Sequence, residues 1–539
     1  MKYTFYPKPI NFFIFNILFT CCLFVNSFSQ TNQFQPSPID VLDYKFEIAL
    51  SDSSDVIYVN ATVKIAFKNS LESFILDLKS IEDDKGMNVD KVTENKNKVK
   101  YKHQNDKIEI FAQGTKKDSS RIFHIQYHGI PDDGLIISNN KFGDRVFFGD
   151  CWPNRAHHWL CCVDHPSDKA TVEFIVKAPS YYQVVANGFK VKETMIGNET
   201  FTDWKSNEPL PTKLMVIGVA RFAVLDYTDS LNIPISTWVF PQNRDLGFKN
   251  YCCANKPLDY FISKIGTYPF SKLANVQSKT IYGGMENAGC IFYYENSVIN
   301  KQEDLFAHEI AHQWFGDAVS ELNWYHIWLS EGFATYLADL YMENQHGKDV
   351  FISRMMNERR EALDFAKQKL TPVIDTTITN LMELLNANSY QKCGWVLYML
   401  HKDLGDKLFW ESLSAFFQKY KYGNALTSDF ESVVELVSGK DFHTFFNQWL
   451  YQSGHPVISS AYTYKNNEIK FTVKQHQKQF IFKFPLEIKI VYENGTSSFE
   501  TLAVNDSENI FTFKSRIKPK EIILDPNTCL FFETTKIVD

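Results

Sequence analysis

Apolar and polar positions alternate through most of residues 35–225. The runs at 44–50 and 63–67 place a large apolar residue at every second position, with mostly polar neighbours between them. This period puts alternate side chains on opposite faces of a strand. Clusters of turn-forming residues, such as NNKFGD at 139–144, interrupt the runs. The pattern predicts a β-rich N-terminal domain at residues 30–225.

The spacing of apolar residues lengthens to three and four after residue 225, which is typical of packed amphipathic helices. The clearest stretches are 303–315, 331–342, 350–367 and 391–400. Alternation returns after QSGHP at 452–456, and ENGT at 493–496 reads as a hairpin turn. The sequence therefore predicts a mostly helical domain at residues 226–452 and a small β domain at residues 453–539. The expected fold class is multidomain α+β.

The first thirty residues have a different character. Lys2 and Lys8 precede an apolar stretch at 12–25, and small and polar residues follow it. This is the order of regions in a secretory signal peptide. The apolar stretch is short for a bilayer span, so we expect a cleaved signal at residues 1–29, with an uncleaved anchor as the alternative. The expected protein is exported, periplasmic or secreted, without a transmembrane segment in its mature form.

Composition narrows the choice of function. The chain has 539 residues, of which 44% are apolar and 22% charged, and its formal net charge is −7. These values are typical of a protein with a large apolar core. The chain is not strongly basic, as a nucleic-acid-binding protein needs to be. The ten cysteines include no CxxC pair, so a thiolate zinc site is not expected.

The motif HEIAH at 308–312 is the first candidate for chemistry. Residues four apart on a helix lie on nearly the same face, so His308 and His312 are able to bind one ion. Glu331 follows after eighteen intervening residues, which is room for a loop and a returning helix. Three protein ligands leave zinc one open position for water, and Glu309 is placed to act as general base. The alternative is three polar residues on the exposed face of an ordinary helix.

Three motifs in order resemble those of the gluzincin metallo-aminopeptidases, the family of the alanyl aminopeptidases and leukotriene hydrolase. They are GGMEN at 283–287, HEIAHQWFGD at 308–317 and WLSEGFATY at 328–336. The segments DHPSDKATVEF at 164–174 and FFNQWLYQSGHPV at 445–457 are also similar to the family. The resemblance implies an N-terminal β-sandwich-like domain, a thermolysin-like, mostly helical catalytic domain and one zinc ion per chain.

The resemblance also implies roles for individual residues. His308, His312 and Glu331 match the family's zinc ligands, and Glu309 matches its general base. Tyr390, in SYQKCGW and fifty-nine residues after Glu331, is similar to the tyrosine that stabilises the oxyanion on the scissile carbonyl. Removing an oxyanion donor of this kind raises a reaction barrier by about 3 kcal/mol.

The GGMEN motif is expected to bind the substrate. By resemblance, Glu286 holds the free α-ammonium, a charge-assisted contact that leaves only the first peptide bond within reach of the metal. The two glycines allow the backbone to pair with an extended peptide, and Met285 is a candidate wall for the first side chain. Without the resemblance the motif would be interpreted as a turn. The predicted substrate-binding residues are Gly283, Gly284, Met285, Glu286 and Asn287.

The chain departs from the family pattern in two places. A second amine-binding Glu or Gln usually lies ten residues before the cysteine matched here by Cys162, but this position is Trp152. Either Asp150 or Asn154 takes its place after a small shift, or the amine site has one anchor fewer, so this position stays unassigned. Many relatives carry a large C-terminal helical domain, for which we expect no counterpart here.

The sequence thus predicts a zinc aminopeptidase that hydrolyses the N-terminal peptide bond of peptides with a free N-terminus. One alternative is a catalytically inactive scaffold that binds peptides or proteins, although the expected ligands, base and Tyr390 are all present. The other is a zinc endopeptidase or epoxide hydrolase on the same fold.

Overall fold

The N-terminal part of the protein consists mainly of β-strands. The computed structural model describes residues 37–228 and 231–535. The strands are β1 (Ile39–Ala49), β2 (Ile57–Phe67), β3 (Phe74–Asp77), β4 (Gly86–Glu94), β5 (Asn97–Lys98), β6 (Tyr101–Gln104), β7 (Lys107–Ile110), β8 (Ser119–Ile130), β9 (Leu135–Asn139), β10 (Arg145–Gly149), β11 (Lys169–Pro179), β12 (Gln183–Ala186), β13 (Phe189–Ile196), β14 (Glu199–Pro211) and β15 (Ile217–Ala220).

Three sheets build this part. The largest has the order β13-β14-β11-β1-β2-β8-β4-β5, and the smaller ones are β12-β15-β10-β9 and β3-β7-β6. Strand β1 runs antiparallel to β2 and parallel to β11. Along β2 every second residue from Ile57 to Phe67 is buried, because the period of two turns one face toward the core. The β-rich N-terminal region is therefore confirmed.

The middle of the chain combines a five-stranded sheet and a two-stranded sheet with most of the helices. The larger sheet has the order β16-β17-β18-β20-β19, and β21 pairs with β22. The elements are β16 (Ala223–Thr228), β17 (Pro234–Val239), α1 (Arg244–Tyr251), α2 (Asn255–Lys264), β18 (Leu273–Gln277), β19 (Gly284–Met285), β20 (Cys290–Tyr293), α3 (Glu303–His312), β21 (Val319–Glu321), α4 (Trp328–His346), α5 (Lys348–Gln368), α6 (Cys393–Tyr420), β22 (Gly423–Ala425), α7 (Thr427–Ser438) and α8 (His443–Phe446).

Helix α3 carries the HEIAH motif into the interior. Its first turn holds Glu303 and Asp304, where negative charge interacts favourably with the helix dipole. Phe306 and Ile310 are completely buried and fix the orientation of the helix. The apolar period continues to residue 315, but the helix ends at His312, and Gly316 follows with a φ of 123°. The chain turns there and returns as β21 and α4.

The C-terminal part again consists of strands: β23 (Val457–Lys465), β24 (Glu468–Gln475), β25 (Phe484–Tyr492), β26 (Ser497–Val504), β27 (Glu508–Lys514), β28 (Pro519–Leu524) and β29 (Glu533–Thr534). They form sheets of order β27-β24-β23-β29 and β26-β25-β28. Their inner residues Phe471 and Ile488 join the same apolar core as Trp395 and Trp449 of the helical region. The α+β multidomain class is confirmed, and the precise domain limits stay predictions.

Two expectations concern membranes and export. In the part of the chain that the structure describes, no helix has the length and apolar character needed to cross a membrane. The predicted signal at residues 1–29 lies outside the described residues.

Candidate active site

Two imidazoles and a carboxylate converge between α3 and α4. The Nε2 atoms of His308 and His312 lie 3.1 Å apart. Glu331 Oε2 is 3.4 Å from the first and 3.3 Å from the second. The histidines face the same way because they are one turn apart on α3, and Glu331 meets them from the first turn of α4. The structure thus brings together the three residues expected to bind metal.

This cluster fits a single metal ion. The candidate ligand atoms of His308, His312 and Glu331 all lie within 4.8 Å of one another. A tetrahedral ion with bonds of about 2.0–2.1 Å separates its ligand atoms by about 3.3 Å, and the separations here are 3.1–3.4 Å. Imidazole nitrogen and carboxylate oxygen are suitable ligands for a divalent ion of this geometry.

The ring of His312 is held from its other side. Its Nδ1 lies 2.9 Å from Ser330 Oγ and 3.3 Å from the Phe315 carbonyl oxygen. Such a partner fixes the ring orientation and tautomer of a metal-binding histidine. The sequence reasoning missed Ser330, and its position directly before Glu331 was the only available signal.

Glu309 projects from α3 beside the cluster and is buried. Burial raises the pKa of its carboxyl group well above the ordinary value. The strand β19 passes so close that a Cβ atom at Gly284 would overlap the Glu309 carboxylate. A glycine is therefore required at this position for the strand and the carboxylate to share the site.

Tyr390 reaches the same place from a short π-helical turn, Asn388–Lys392, which precedes α6. Its ring stacks on that of His308, with the centroids 6.0 Å apart. Burial raises the pKa of the Tyr390 phenol well above its ordinary value. The side chain is thus a protonated hydroxyl that is able to donate a hydrogen bond within the site.

The GGMEN motif borders the cluster as a strand edge. Strand β19 pairs antiparallel with β20, and the Glu286 side chain is buried with no hydrogen-bond partner for its Oε1 among the described residues. The Glu286 carbonyl accepts a 2.7 Å hydrogen bond from Gln313 Nε2, and Gln313 Oε1 accepts one of 2.8 Å from the Gly289 N–H. Gln313, next to His312, therefore ties this motif to α3. The sequence reasoning missed this residue too.

These groups surround one cavity of about 250 Å³. Nine of the ten predicted site residues line it, and Asn287, which is completely buried, does not. The cavity lies where the two apolar cores meet: Met285 belongs to the N-terminal core and Ile310 of α3 to the other. The lining residues are Trp152, Tyr282, Gly283, Gly284, Met285, Glu286, Leu305, His308, Glu309, His312, Glu331, Leu385 and Tyr390.

Trp152, at the position where the resemblance implies a second amine-binding residue, lies in the wall of this cavity. Its side chain is buried. Asp150 is not among the lining residues, because its carboxylate is buried in contacts with Arg155 Nη2 at 2.7 Å and Thr280 Oγ1 at 3.3 Å. Asn154 is exposed and does not line the cavity either. Neither polar candidate replaces the second amine anchor.

Known proteins are similar to this chain over both of its larger parts. Residues 41–214 match the Peptidase M1 N-terminal domain, and residues 254–449 match the Peptidase family M1 domain. Aminopeptidase M1 of Arabidopsis thaliana is 28% identical over 57% of this chain and 37% of its own length. Tricorn protease-interacting factor F2 of Thermoplasma acidophilum is 27% identical, covering 76% of this chain and 54% of that protein.

A third relative extends the similarity further along the chain. Alanine/arginine aminopeptidase of Saccharomyces cerevisiae is 26% identical over 80% of this chain and 53% of its own length. The chain spans about half the length, or less, of these curated relatives. The two domain matches occur in the expected order and include the converging histidines and glutamate. On this evidence the chain belongs to peptidase family M1, the gluzincin aminopeptidase family.

Proposed function

We propose that the protein is a zinc-dependent aminopeptidase that removes the first residue of peptides with a free N-terminus. The observation that carries the proposal is the convergence of His308, His312 and Glu331 within 3.4 Å, beside the buried carboxylates of Glu309 and Glu286. The similarity to proteins named aminopeptidases supports it.

The metal site is proposed to hold one zinc ion per chain, with His308, His312 and Glu331 as its ligands. A zinc ion held there supplies Lewis-acid polarisation of the scissile carbonyl and activation of water. The other steps belong to residues of the chain.

Proton transfer is assigned to Glu309. Its carboxylate lies on the same helix turn as the ligands and lines the cavity, so it accepts a proton from the attacking water and returns it to the leaving amine. Tyr390 donates its hydroxyl hydrogen to the oxygen of the attacked carbonyl, where negative charge develops.

Recognition of the chain end is assigned to Glu286. A buried carboxylate oxygen without a partner is unfavourable, and Glu286 Oε1 is in this condition among the described residues. The α-ammonium of a peptide relieves it by a charge-assisted hydrogen bond. Next to it, β19 offers the backbone of Gly284 and Met285 for pairing with an extended substrate.

The first test replaces Glu309 by Gln, which keeps the shape of the side chain and removes the base. We expect kcat for aminoacyl fluorogenic substrates to fall by about 10²–10⁴-fold, with zinc content equal to that of the wild type. Glu303→Gln is the matched control, because Glu303 begins the same helix and does not line the cavity. A zinc-loaded Glu309→Gln protein as active as the wild type would disprove the mechanism.

The alternatives predicted from the sequence are separated by the substrate. Acetylation of the α-amine should abolish cleavage, because Glu286 then has no ammonium to bind. Equal cleavage of free and acetylated peptides would identify an endopeptidase, and hydrolysis of epoxides alone would identify an epoxide hydrolase. Failure of the zinc-loaded protein to cleave any of a panel of aminoacyl substrates would favour the inactive scaffold.

Export is also proposed, on the basis of the signal-like order of residues 1–29. The 539-residue chain expressed in a bacterial host should give active protein outside the cytoplasm, with its N-terminus shortened by about the length of a signal peptide. Recovery of full-length protein from the cytoplasm alone would contradict export.

A further inference from the structure

We propose that the cavity selects peptides whose first side chain is large and apolar, and that Trp152 sets this preference. This inference rests on the proposed aminopeptidase function, because it identifies the first side chain by the positions given to the α-amine and the scissile carbonyl.

The argument begins with the groups that the substrate backbone occupies. The α-ammonium lies at Glu286, and the scissile carbonyl lies at His308, His312 and Glu331. The first side chain branches from the carbon atom between these two points, so it must contact the rest of the cavity. Apart from the two glycines and the residues already given a chemical role, every lining residue is apolar or aromatic: Trp152, Tyr282, Met285, Leu305 and Leu385.

Trp152 and Tyr282 form an aromatic corner in this wall. Their ring centroids lie 6.2 Å apart with the planes at 88°, and Trp152 makes a similar edge-to-face contact with Trp324 at 6.2 Å. Tyr282 donates its hydroxyl hydrogen to the Trp152 carbonyl at 3.4 Å and also contacts Met382 Sδ at 3.5 Å. These contacts from three separate segments hold the two rings in place, so the wall is preformed for an apolar group.

The charges around the wall oppose an acidic first residue. The described residues that line the cavity include three glutamates and no Lys or Arg. The guanidinium of Arg155 lies 6.0 Å from the centroid of the Tyr282 ring. It is already paired with Asp133 at 2.8 Å and Asp150 at 2.7 Å. An acidic side chain would therefore be desolvated without a partner and repelled by the carboxylates.

A basic first residue is also disfavoured. The three lining glutamates already have roles: Glu286 binds the α-ammonium, Glu309 transfers the proton and Glu331 binds the metal. None is left to pair with a basic side chain on the first residue. Glu383, next to the segment that supplies Leu385, is paired with Lys369 at 3.0 Å. Burying a Lys or Arg head group against Trp152 and Tyr282 without a carboxylate of its own would lose its hydration, and attraction to the rings and to the three assigned glutamates offsets this loss only in part. Apolar side chains gain from the same burial.

The first experiment measures kcat/KM of the zinc-loaded wild type for aminoacyl substrates that differ only in the first residue. One methylene in an apolar pocket changes kcat/KM by about 10–200-fold. We expect kcat/KM for Leu and Phe substrates to be at least about 100-fold higher than for Gly and Glu substrates, and at least about tenfold higher than for Arg substrates. Glu or Arg substrates cleaved as efficiently as Leu would overturn the inference.

The second experiment assigns the preference to Trp152. Trp152→Ala should lower kcat/KM for Leu and Phe substrates by about 10–100-fold while changing that for Ala by less than about threefold. Trp152→Phe should recover most of the loss. Trp410→Ala is the control, because Trp410 is a half-buried indole on α6 outside the cavity, and it should leave the Leu-to-Ala ratio unchanged. An equal loss for all substrates in Trp152→Ala would overturn the assignment.

A binding measurement separates this inference from the proposed function. If the zinc-loaded protein hydrolyses no aminoacyl substrate, the aminopeptidase function fails. The side-chain preference of the cavity is then measured directly, by calorimetric titration of the wild-type protein with L-phenylalanine, L-leucine, glycine and L-glutamate. These four ligands have the same α-amine and α-carboxylate and differ only in the side chain. We expect the first two to bind at least about tenfold more tightly. Equal affinities would overturn the inference, whatever the catalytic result.

Discussion

The contact between Ser330 and His312 predicts a change in metal affinity. Because the hydroxyl lies 2.9 Å from Nδ1, Ser330→Ala should weaken zinc binding by about 10–100-fold. The measurement is zinc retained after dialysis against graded chelator. Ser412→Ala is the matched control, since Ser412 is a buried serine on α6 that bonds to the Leu408 carbonyl. Equal zinc retention in both variants would show that Ser330 does not orient the ring.

The hydrogen bonds of Gln313 predict a different effect, on substrate binding. Gln313→Met removes the bonds to the Glu286 carbonyl and the Gly289 N–H and leaves the metal ligands in place. We expect KM for aminoacyl substrates to rise by about tenfold with kcat changed much less, because a small displacement of Glu286 loosens the amine.

The control for this variant is Gln448→Met. Gln448 is also buried, and its side-chain amide forms hydrogen bonds of 2.8 Å and 2.9 Å with the backbone of Lys483, outside the cavity. It should destabilise the fold without raising KM. If Gln313→Met and Gln448→Met raise KM by the same factor, the change in the Gln313 variant results from loss of fold stability and not from displacement of Glu286.

The sequence predicted residues whose geometry is local and missed those that act at a distance. His308 and His312 are four apart on one helix, so their spacing alone brings the imidazoles together. Gln313 and Ser330 act through partners 27 and 18 residues away along the chain. No periodicity encodes such contacts. Trp152 was located by its offset from Cys162, but only the structure shows that it forms a wall of the cavity.

Periodicity predicted the helices better than their ends. The stretch expected at 350–367 lies within α5 (Lys348–Gln368), whereas the stretch at 391–400 marks only the beginning of α6 (Cys393–Tyr420). Gly405, with a φ of 74°, interrupts that helix, so the apolar period is lost while the chain continues as helix. The π-helical turn at Tyr390 also has no signature in the pattern, because it depends on packing against neighbouring helices.

The segment before β11 carries a carboxyl group that predicts pH-dependent stability. Asp168 is buried; its Oδ2 accepts the Val41 N–H at 3.2 Å, and its Oδ1 has no partner among the described residues. Burial raises the pKa of Asp168 from 3.8 to about 7. Folding therefore favours the protonated form of Asp168. The contribution of this carboxyl group to the free energy of unfolding is complete below pH 3.8 and is lost as the pH rises through 7.

Asp168→Asn should remove this dependence, because the amide stays neutral and its oxygen is still able to accept from Val41. We expect the melting temperature to rise relative to the wild type by about 1–3 °C at pH 8.5, with a smaller difference at pH 5. Differential scanning calorimetry at both values tests this, with Asp83→Asn at an exposed position as control. A gain that is the same at both pH values would contradict the assigned titration.

The N-terminal and catalytic parts are joined by buried charges. Lys213 Nζ, in the short helix that follows β14, lies 2.6 Å from Glu321 Oε1 at the end of β21, and both side chains are almost completely buried. Lys169 Nζ donates to the carbonyls of Asp317 and Ala318 at 3.1 Å. The sequence predicted the two domains but not these contacts between them, because Lys and Glu are usually exposed residues and nothing in the pattern marks them as buried.

The Lys213–Glu321 pair predicts how the assembled molecule resists unfolding. Lys213→Met leaves the Glu321 carboxylate buried without its cation and should lower the free energy of unfolding by about 3–5 kcal/mol, measured by urea denaturation. The double variant Lys213→Met/Glu321→Leu should recover much of the loss, because neither charge is then buried unpaired. Lys177→Met, which breaks the exposed pair with Glu199, should leave the transition nearly unchanged. A double variant no more stable than Lys213→Met would show that packing, and not the unpaired charge, explains the loss.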